Sequence, residues 1–315
     1  MTLRVFVPGL ATLLAAAVAL SMPVRAQTSD PATQPQKPIE DVTVLGVQDK
    51  IIRDFVTSTV APTNTLIGQL ARWEKGICPV TTGLSPGFNA FVTARVKEVA
   101  AQIGAKVETN SHCKTNVQII FTPHPQGLLN GIRRKAPGLL GSHYKAEEKD
   151  LATARYPIQA WYATATADNR GTLTVDDIGD ISQQCEFRVG KSVINASTCN
   201  IVRGSRINEG WRSEFANVAV VVDLNKIADT EIGPVADDVA MLALAQIKPS
   251  EACRAVPSIS SLFAPDCDAD RRVKALTEYD LAYLRGLYQM DTGLKAGLAQ
   301  INLADWMKRS LDGNR

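Results

Sequence analysis

The sequence predicts an α+β fold in which a mixed β-sheet packs against a buried central helix. Residues 218–222 form an unbroken apolar run rich in β-branched side chains, which is typical of a buried strand. From residue 235 to residue 247 nearly every residue favours a helix, and only Asp237, Asp238 and Gln246 are polar. A helix that is apolar on nearly all sides is buried, so we expect it at the centre of the domain, with further helices C-terminal to it.

The first 26 residues have the pattern of a secretory signal. Arg4 supplies the positive start, residues 10–20 supply the apolar core, and residues 24–26 supply a small-residue cleavage site. The apolar core is too short to span a bilayer, and no other stretch of the sequence is long enough to do so. The sequence therefore predicts a periplasmic or secreted protein without a transmembrane segment.

The segment after the signal is polar and rich in proline, which predicts a disordered linker over residues 27–40. The remaining residues, 41–315, are expected to form a single α+β domain, which is long enough to consist of two lobes. The full chain has a formal charge of +2, and the signal carries Arg4 and Arg25 without an acidic residue, so the mature chain is neutral. A neutral chain offers no electrostatic argument for nucleic-acid binding.

The chain contains six cysteines, and an even number in an exported protein indicates disulfides. Several connectivities are open, and we favour the sequential pairs Cys78–Cys113, Cys185–Cys199 and Cys253–Cys267. The alternative is a zinc site, which is less well supported because the sequence has no C-x-x-C spacing and no histidine near the last four cysteines.

The N-terminal part of the domain is expected to open with an extended stretch at residues 42–47 that turns into a helix ending near Val60. Residues 70–80 alternate in polarity and predict a strand that stops at Pro79. A helix is then expected from Pro86 to Gly104, followed by a strand over residues 116–122. Strand, helix and strand in this order predict a parallel crossover unit.

The middle of the chain is predicted to contain two hairpins. Residues 158–167 and 172–175 form the first, with a polar turn between them. Residues 185–189 and 193–201 form the second, which Cys185–Cys199 would staple. Further on, Thr277 and Asp280 predict the capped start of a helix, and residues 302–311 predict a final short helix.

A buried strand, a buried helix, a loop and the segment LTEYDLAYLRGLY at residues 276–288 follow one another in an order that resembles the zincin metallopeptidases, and metzincins in particular. The resemblance covers roughly residues 70–289. In those enzymes the central helix carries H-E-x-x-H, and the best overlay places Asp237-Asp238-Val239-Ala240-Met241 on that motif. The architecture also resembles a family of uncharacterised exported proteobacterial proteins.

The overlay implies a zincin-like scaffold without zinc ligands. Asp237 and Met241 take the positions of the two histidines and Asp238 that of the general-base glutamate, but a methionine thioether is a poor Zn²⁺ ligand. A third ligand would have to come from His112, His124 or His143 in distant loops. The alternative is that both aspartates simply favour the positive end of the helix dipole.

The resemblance therefore implies an exported, non-catalytic binding or structural protein, a pseudoenzyme with no metal and no cofactor, whose partner is an unknown envelope protein or peptide. One alternative is a peptidase-like hydrolase that uses a non-standard metal or the carboxylates of Asp237 and Asp238. Adjacent helical residues point about 100° apart, which disfavours a tight carboxylate pair. A further alternative is a purely structural protein whose cleft is filled by side chains such as Phe263 and Tyr288.

Overall fold

The structure of the protein is a computed structural model, and it describes part of the chain. The described residues are 39–63, 68–110, 112–141, 146–168, 173–175, 184–189, 192–197, 210–249 and 252–313. The predicted signal over residues 1–26 and most of the predicted linker lie outside the described residues, as do Cys199 and His143.

Helices and strands alternate through the first half of the chain, and helices dominate the end. The helices are α1 (Ile39–Thr59), α2 (Pro86–Gln102), α3 (Pro125–Lys135), α4 (Glu148–Leu151), α5 (Ile232–Leu244), α6 (Glu278–Gln289) and α7 (Ala296–Asp312). The strands are β1 (Pro79–Thr82), β2 (Val117–Thr122), β3 (Ile158–Asp168), β4 (Leu173–Val175), β5 (Gln184–Val189), β6 (Ser192–Ser197) and β7 (Trp211–Asp223).

The main sheet is mixed and has the strand order β1-β2-β7-β3-β4. Strands β1, β2 and β7 run parallel, whereas β3 is antiparallel to β7 and β4 is antiparallel to β3. The crossover from β1 through α2 to β2 and the hairpin of β3 and β4 both confirm the sequence predictions. Strands β5 and β6 pair as a separate hairpin, as expected. The α+β prediction is confirmed by this combination of helices and a mixed sheet.

Helices cover both faces of the sheet. On one face the large core joins β2 and β7 to α1, α2, α5, α6 and α7. On the other face a smaller cluster packs Leu129 of α3 and Leu140 against Trp161 and Val221 of the sheet. Buried strands between two apolar layers read as continuous apolar runs, which explains the unbroken run at the end of β7.

The C-terminal end of α5 is buried, and its last carbonyl groups cannot be paired within the helix. Aromatic side chains from three other elements supply the missing donors. Trp73 donates its indole N–H to the carbonyl of Ala243 at 2.9 Å, and Tyr288 donates its hydroxyl to that of Leu244 at 2.9 Å. The hydroxyl of Tyr162 lies 2.8 Å from the carbonyl of Leu242 and 2.9 Å from that of Ala245. These bonds allow the helix to end inside the core.

Helix α6 begins with the predicted capping box. The hydroxyl of Thr277 accepts from the backbone N–H of Asp280 at 3.2 Å, and the carboxylate of Asp280 accepts from that of Thr277 at 2.9 Å. The prediction of Thr277 as the capping residue is therefore confirmed. Helix α7 packs against α6, where Gly286 allows a close approach to Leu303.

Two predicted stretches differ in the structure. Residues 42–47 belong to helix α1 and are not extended. Residues 70–78 are not a strand: Arg72 and Ile77 make only isolated bridges. Strand β1 starts at Pro79, which is permitted because the first residue of an edge strand need not donate to a neighbour.

The structure contains two of the three predicted disulfides, Cys78–Cys113 and Cys253–Cys267. For the predicted pair Cys185–Cys199, Cys199 lies outside the described residues. Within the part of the chain that is described, none of the helices is long and apolar enough to cross a membrane.

Candidate functional site

A cavity of about 180 Å³ opens beside the central helix α5. Strand β3 forms one wall, α5 forms the floor, and the loops between α5 and α6 close the far side. The apolar lining side chains are those of Ile158, Ala160, Leu242, Ile247, Pro249, Phe263, Ala264 and Pro265. The charged ones are those of Arg155, Asp238, Lys248 and Arg254. The cavity is therefore apolar along its walls and charged at one end and at its rim.

A second cavity of about 570 Å³ continues along the same strand. The residues that line both cavities are Gln159, Ala160, Tyr162, Ile247 and Pro249. Because they share these residues, the two cavities form one depression alongside β3, which we call the β3 groove.

Strand β3 presents an open edge to this groove. It pairs with β7 along its whole length but with β4 only from Ala165 to Ala167. The carbonyl of Pro157 accepts a hydrogen bond from the backbone N–H of Asp223 in β7. In an antiparallel ladder every second residue has its N–H and C=O directed at the neighbouring strand, so those of Gln159 and Trp161 are also directed at β7.

The backbone groups of Ile158, Ala160 and Tyr162 consequently point away from β7, towards the groove. Among the described residues, none pairs with the backbone N–H or C=O of Ile158 or Ala160. The edge ends at Tyr162, where Gly141 crosses so closely that a Cβ at this position would lie 2.1 Å from the carbonyl oxygen of Tyr162. Gly141 also has φ +66°, so two constraints favour glycine there. The open edge is therefore short and bounded.

Asp238 is the acidic side chain at the inner end of the smaller cavity. It is only 7% exposed, and no described residue donates a hydrogen bond to its carboxylate. Burial raises the pKa of this carboxyl from 3.8 to about 8, with further increases from the negative charges of Asp280 and Asp237 and a decrease from Arg254. At neutral pH the Asp238 carboxyl therefore holds its proton and can donate a hydrogen bond.

Arg254 and Asp280 lie close enough to Asp238 to act on its charge, and each has hydrogen-bond partners of its own. The guanidinium of Arg254 donates to the carbonyls of Ser58 and Lys248, both at 2.7 Å. The carboxylate of Asp280 is fully buried; besides the capping-box bond, it accepts from the hydroxyl of Ser258 at 2.5 Å. Burial lowers the pKa of Arg254 and raises that of Asp280.

Asp237, although adjacent in sequence, has a different environment. Arg95 of α2 donates to one of its carboxylate oxygens at 2.5 Å, and the backbone N–H of Leu276 donates to the other at 2.9 Å. Asp237 thereby joins α2, α5 and the start of α6. The helix-dipole interpretation is not supported for either aspartate, because α5 starts at Ile232 and its first turn contains no acidic residue. The dipole effect falls off within that turn.

The structure separates the residues that the zincin overlay groups together. The side chains of α5 that line the cavity are Asp238 and Leu242, one helical turn apart. Asp237 and Met241 do not line it, and Met241 is fully buried in the core. His112 and His124 are exposed and also do not line either cavity of the β3 groove. Phe263 forms one wall, whereas Tyr288 lies at the end of α5.

Two residues that determine the electrostatics of the site were not predicted from sequence. Arg95 occurs in an ordinary amphipathic helix, and Arg254 follows a cysteine in a polar loop. Neither position carries a local sequence pattern that indicates a cation acting on the site. Their roles follow from long-range packing, because Arg95 and Asp237 are 142 positions apart.

Within the described residues, no group of three or more metal-ligating side chains is brought together. No protein-family model matches the chain, and neither the curated proteins nor the solved structures contain a significant match. The candidate site is therefore judged on its own geometry.

Proposed function

We propose that this protein is an exported, non-catalytic binding protein, built on a zincin-like scaffold, that binds an extended peptide segment in the β3 groove. The observation that carries the proposal is the open edge of β3 at Ile158 and Ala160. Edge strands offer unpaired N–H and C=O groups that an incoming extended segment can pair with, and adjacent pockets then select its side chains.

The groove has the other properties that this binding mode needs. Its cavity beside α5 is smaller than the roughly 300–1,000 Å³ typical of drug-sized ligand pockets, so it fits a single side chain. The neighbouring cavity has acidic side chains, those of Glu147 and Asp150, along its lining. Both cavities adjoin the same strand, as the side-chain pockets of a strand-binding groove do.

The arrangement of α5 supports a binding role over a metallopeptidase role. The carboxylate of Asp237 is occupied by Arg95 and by the backbone of Leu276. Met241 is enclosed by the core and offers only a thioether. A catalytic zinc needs three protein ligands with one open position.

Selection from a random peptide library with the purified protein tests this proposal. Selected peptides are then resynthesised with single backbone N-methyl groups at each position. Strand addition requires N–H groups at alternate residues, so we expect binding to be lost with a period of two along the peptide. An affinity that is insensitive to backbone methylation at every position would contradict the proposal.

The variant Ala160→Pro provides the matching test on the protein side. The N–H of Ala160 points away from β7, so proline removes an edge donor while leaving the ladder to β7 in place. We expect peptide binding to weaken by about tenfold for the loss of about 1.4 kcal/mol of edge hydrogen bonding. Thermal unfolding verifies that the variant is folded, and Ala160→Ser, which keeps the backbone N–H at the same position, is the control substitution.

The alternative, a hydrolase, is favoured by one observation, the raised pKa of Asp238 beside a cavity. A carboxyl that holds its proton near neutral pH is suited to general acid catalysis. Mass spectrometry of the selected peptides after long incubation distinguishes the two functions. Cleavage that is abolished by Asp238→Asn in a folded variant would establish the hydrolase, and intact peptides support the binding protein.

A further inference from the structure

The smaller cavity of the β3 groove contains a buried acid to which no described residue donates a hydrogen bond. Asp238 is 93% withdrawn from solvent, as its exposed fraction of 7% shows, and it lines the cavity. Buried polar groups are almost always hydrogen-bonded, so a buried carboxyl without a donor among the described residues is unusual. Its position at a cavity wall indicates that a ligand can supply the donor.

The charges around Asp238 favour a cation as that donor. Asp237 is paired with Arg95. The charges of Asp280 and Arg254 oppose each other beside Asp238, since the first raises and the second lowers the pKa of the Asp238 carboxyl. Arg155 and Lys248 also line the cavity, but both side chains are exposed. Arg155 pairs with Asp150, and the ammonium of Lys248 donates to the carbonyl of Thr57. Within the described residues, the carboxylate of Asp238 forms no salt bridge of its own, so its ionised form lacks a direct partner.

The shape of the cavity favours a slender cation on an alkyl chain. Apolar side chains line the walls between the rim and Asp238, among them Ile158, Leu242, Ile247 and Phe263. A primary ammonium is compact and has three donors, and the methylene stem that carries it packs well along apolar surfaces. A chain of this kind places the ammonium at the carboxylate while its methylenes contact the walls.

We propose that the cavity beside α5 binds a primary ammonium group on an alkyl chain, with the ammonium donating to the carboxylate of Asp238. In the setting of the proposed function, on which this extension rests, the group is the lysine side chain of the bound peptide. The carboxyl proton passes to solvent as the ammonium enters, because the ion pair forms only with the carboxylate. No other bond is made or broken.

Titration of the purified protein with n-butylamine, with n-butanol as the matched neutral ligand, tests the ammonium site directly. We expect the alcohol to bind at least about tenfold more weakly, since it provides no charge. Lengthening the amine by one methylene should strengthen binding about fourfold until the cavity is full. Equal affinity for the alcohol and the amine would overturn the proposal.

The pH dependence gives a second, independent readout. Below the pKa of Asp238, amine affinity should rise about tenfold per pH unit, because one proton must leave for each ammonium bound. Calorimetry in buffers of different ionisation enthalpy should show about one proton released per amine near pH 7. The other titratable or charged groups that act on Asp238 or line its cavity are Asp237, Asp280, Arg254, Tyr162, Arg155 and Lys248. Amine binding without proton release would refute the assignment to Asp238.

The variant Asp238→Asn assigns the effect, since it keeps the shape and leaves Asp280 and Asp237 in place. We expect amine affinity to fall at least about tenfold and its pH dependence to disappear. Asp305→Asn is the matched control, because Asp305 is an exposed acid on α7 that lines neither cavity of the β3 groove. Unchanged amine binding in Asp238→Asn, or loss of binding in Asp305→Asn, would place the cation elsewhere.

The failure of this inference and the failure of the proposed function give different results. If selected peptides bind with the period-two methylation pattern but without any preference for lysine, the ammonium assignment is wrong and the peptide function stands. If n-butylamine binds at Asp238 and no peptide is selected, the ammonium site stands and the peptide function is wrong.

Discussion

The carboxyl of Asp238 makes the stability of this protein depend on pH in a direction opposite to that of most acids. Its pKa rises from 3.8 to about 8 on folding because the group is buried near other acids. Between these values the folded state holds a proton that the unfolded state has released. Linkage then requires the free energy of unfolding to fall as the pH rises, by about 1.4 kcal/mol per pH unit.

The variant Asp238→Asn isolates this contribution, because an amide resembles the protonated acid and does not titrate. From pH 3.8, the ordinary pKa, to pH 7, the wild type should lose about 4 kcal/mol relative to the variant. A cost of burying the amide that does not depend on pH changes the difference in free energy of unfolding by the same amount at every pH, so the slope of that difference with pH is unaffected. The slope of the difference with pH is therefore the quantity to measure.

Guanidinium unfolding of both proteins at several pH values between about 4.5 and 7.5, with the disulfides intact, provides the measurement. Asp280 acts on the charge of Asp238, so the difference between the two proteins reports the titration of Asp238 together with its coupling to Asp280. Asp150→Asn, which replaces an exposed acid, serves as the control substitution. A difference between wild type and Asp238→Asn that stays constant across this range would refute the reasoning.

Three further predictions concern the groups that hold α5 in place. Arg95→Met should lower the free energy of unfolding, measured by chemical denaturation, by about 3–5 kcal/mol because Asp237 is left buried without its cation. The control Glu98→Gln removes an exposed partner of Arg95 and should lower it by less than about 1 kcal/mol. Tyr288→Phe should cost about 1–3 kcal/mol in the same assay, since the buried carbonyl at the end of α5 loses its donor; an unchanged midpoint would argue against that bond. Replacing both Cys253 and Cys267 by serine should lower the free energy of unfolding by about 3 kcal/mol, because the disulfide closes a loop with a sequence separation of 14. Equal stability of the oxidised and the reduced wild-type protein would contradict this prediction.

Local patterns were sufficient to predict the fold class and most elements. The apolar run before α5, the composition of α5 itself, and the capping residues of α6 each produce their structure through short-range effects. The segment at residues 70–78 was mispredicted because alternation of polar and apolar residues also arises in an irregular chain that crosses a buried helix end. There, Trp73 is buried in order to donate to α5, so its apolar position does not indicate strand periodicity.

The candidate site was predictable only in part. The sequence indicated Asp237 and Asp238 as candidates but could not distinguish them. Both are aspartates in the same stretch of sequence, and they differ only in the side of the helix to which each side chain points. Their environments are set by residues remote in sequence, with Arg95 and Leu276 at one and Arg254 and Asp280 near the other. The open edge of β3 was likewise not predictable, since it depends on how far β4 extends along its neighbour.

The aromatic caps of α5 have a consequence for the order in which the protein matures. Trp73 precedes the carbonyl it binds by 170 positions, and Tyr288 follows its own acceptor by 44 positions. A chain that is synthesised from its N-terminus therefore cannot complete this helix end until the residues of α6 have also been made. Contacts between residues so far apart in sequence also form slowly. The apolar helix α5 therefore stays exposed in the incomplete chain, and exposed apolar segments are what chaperones bind.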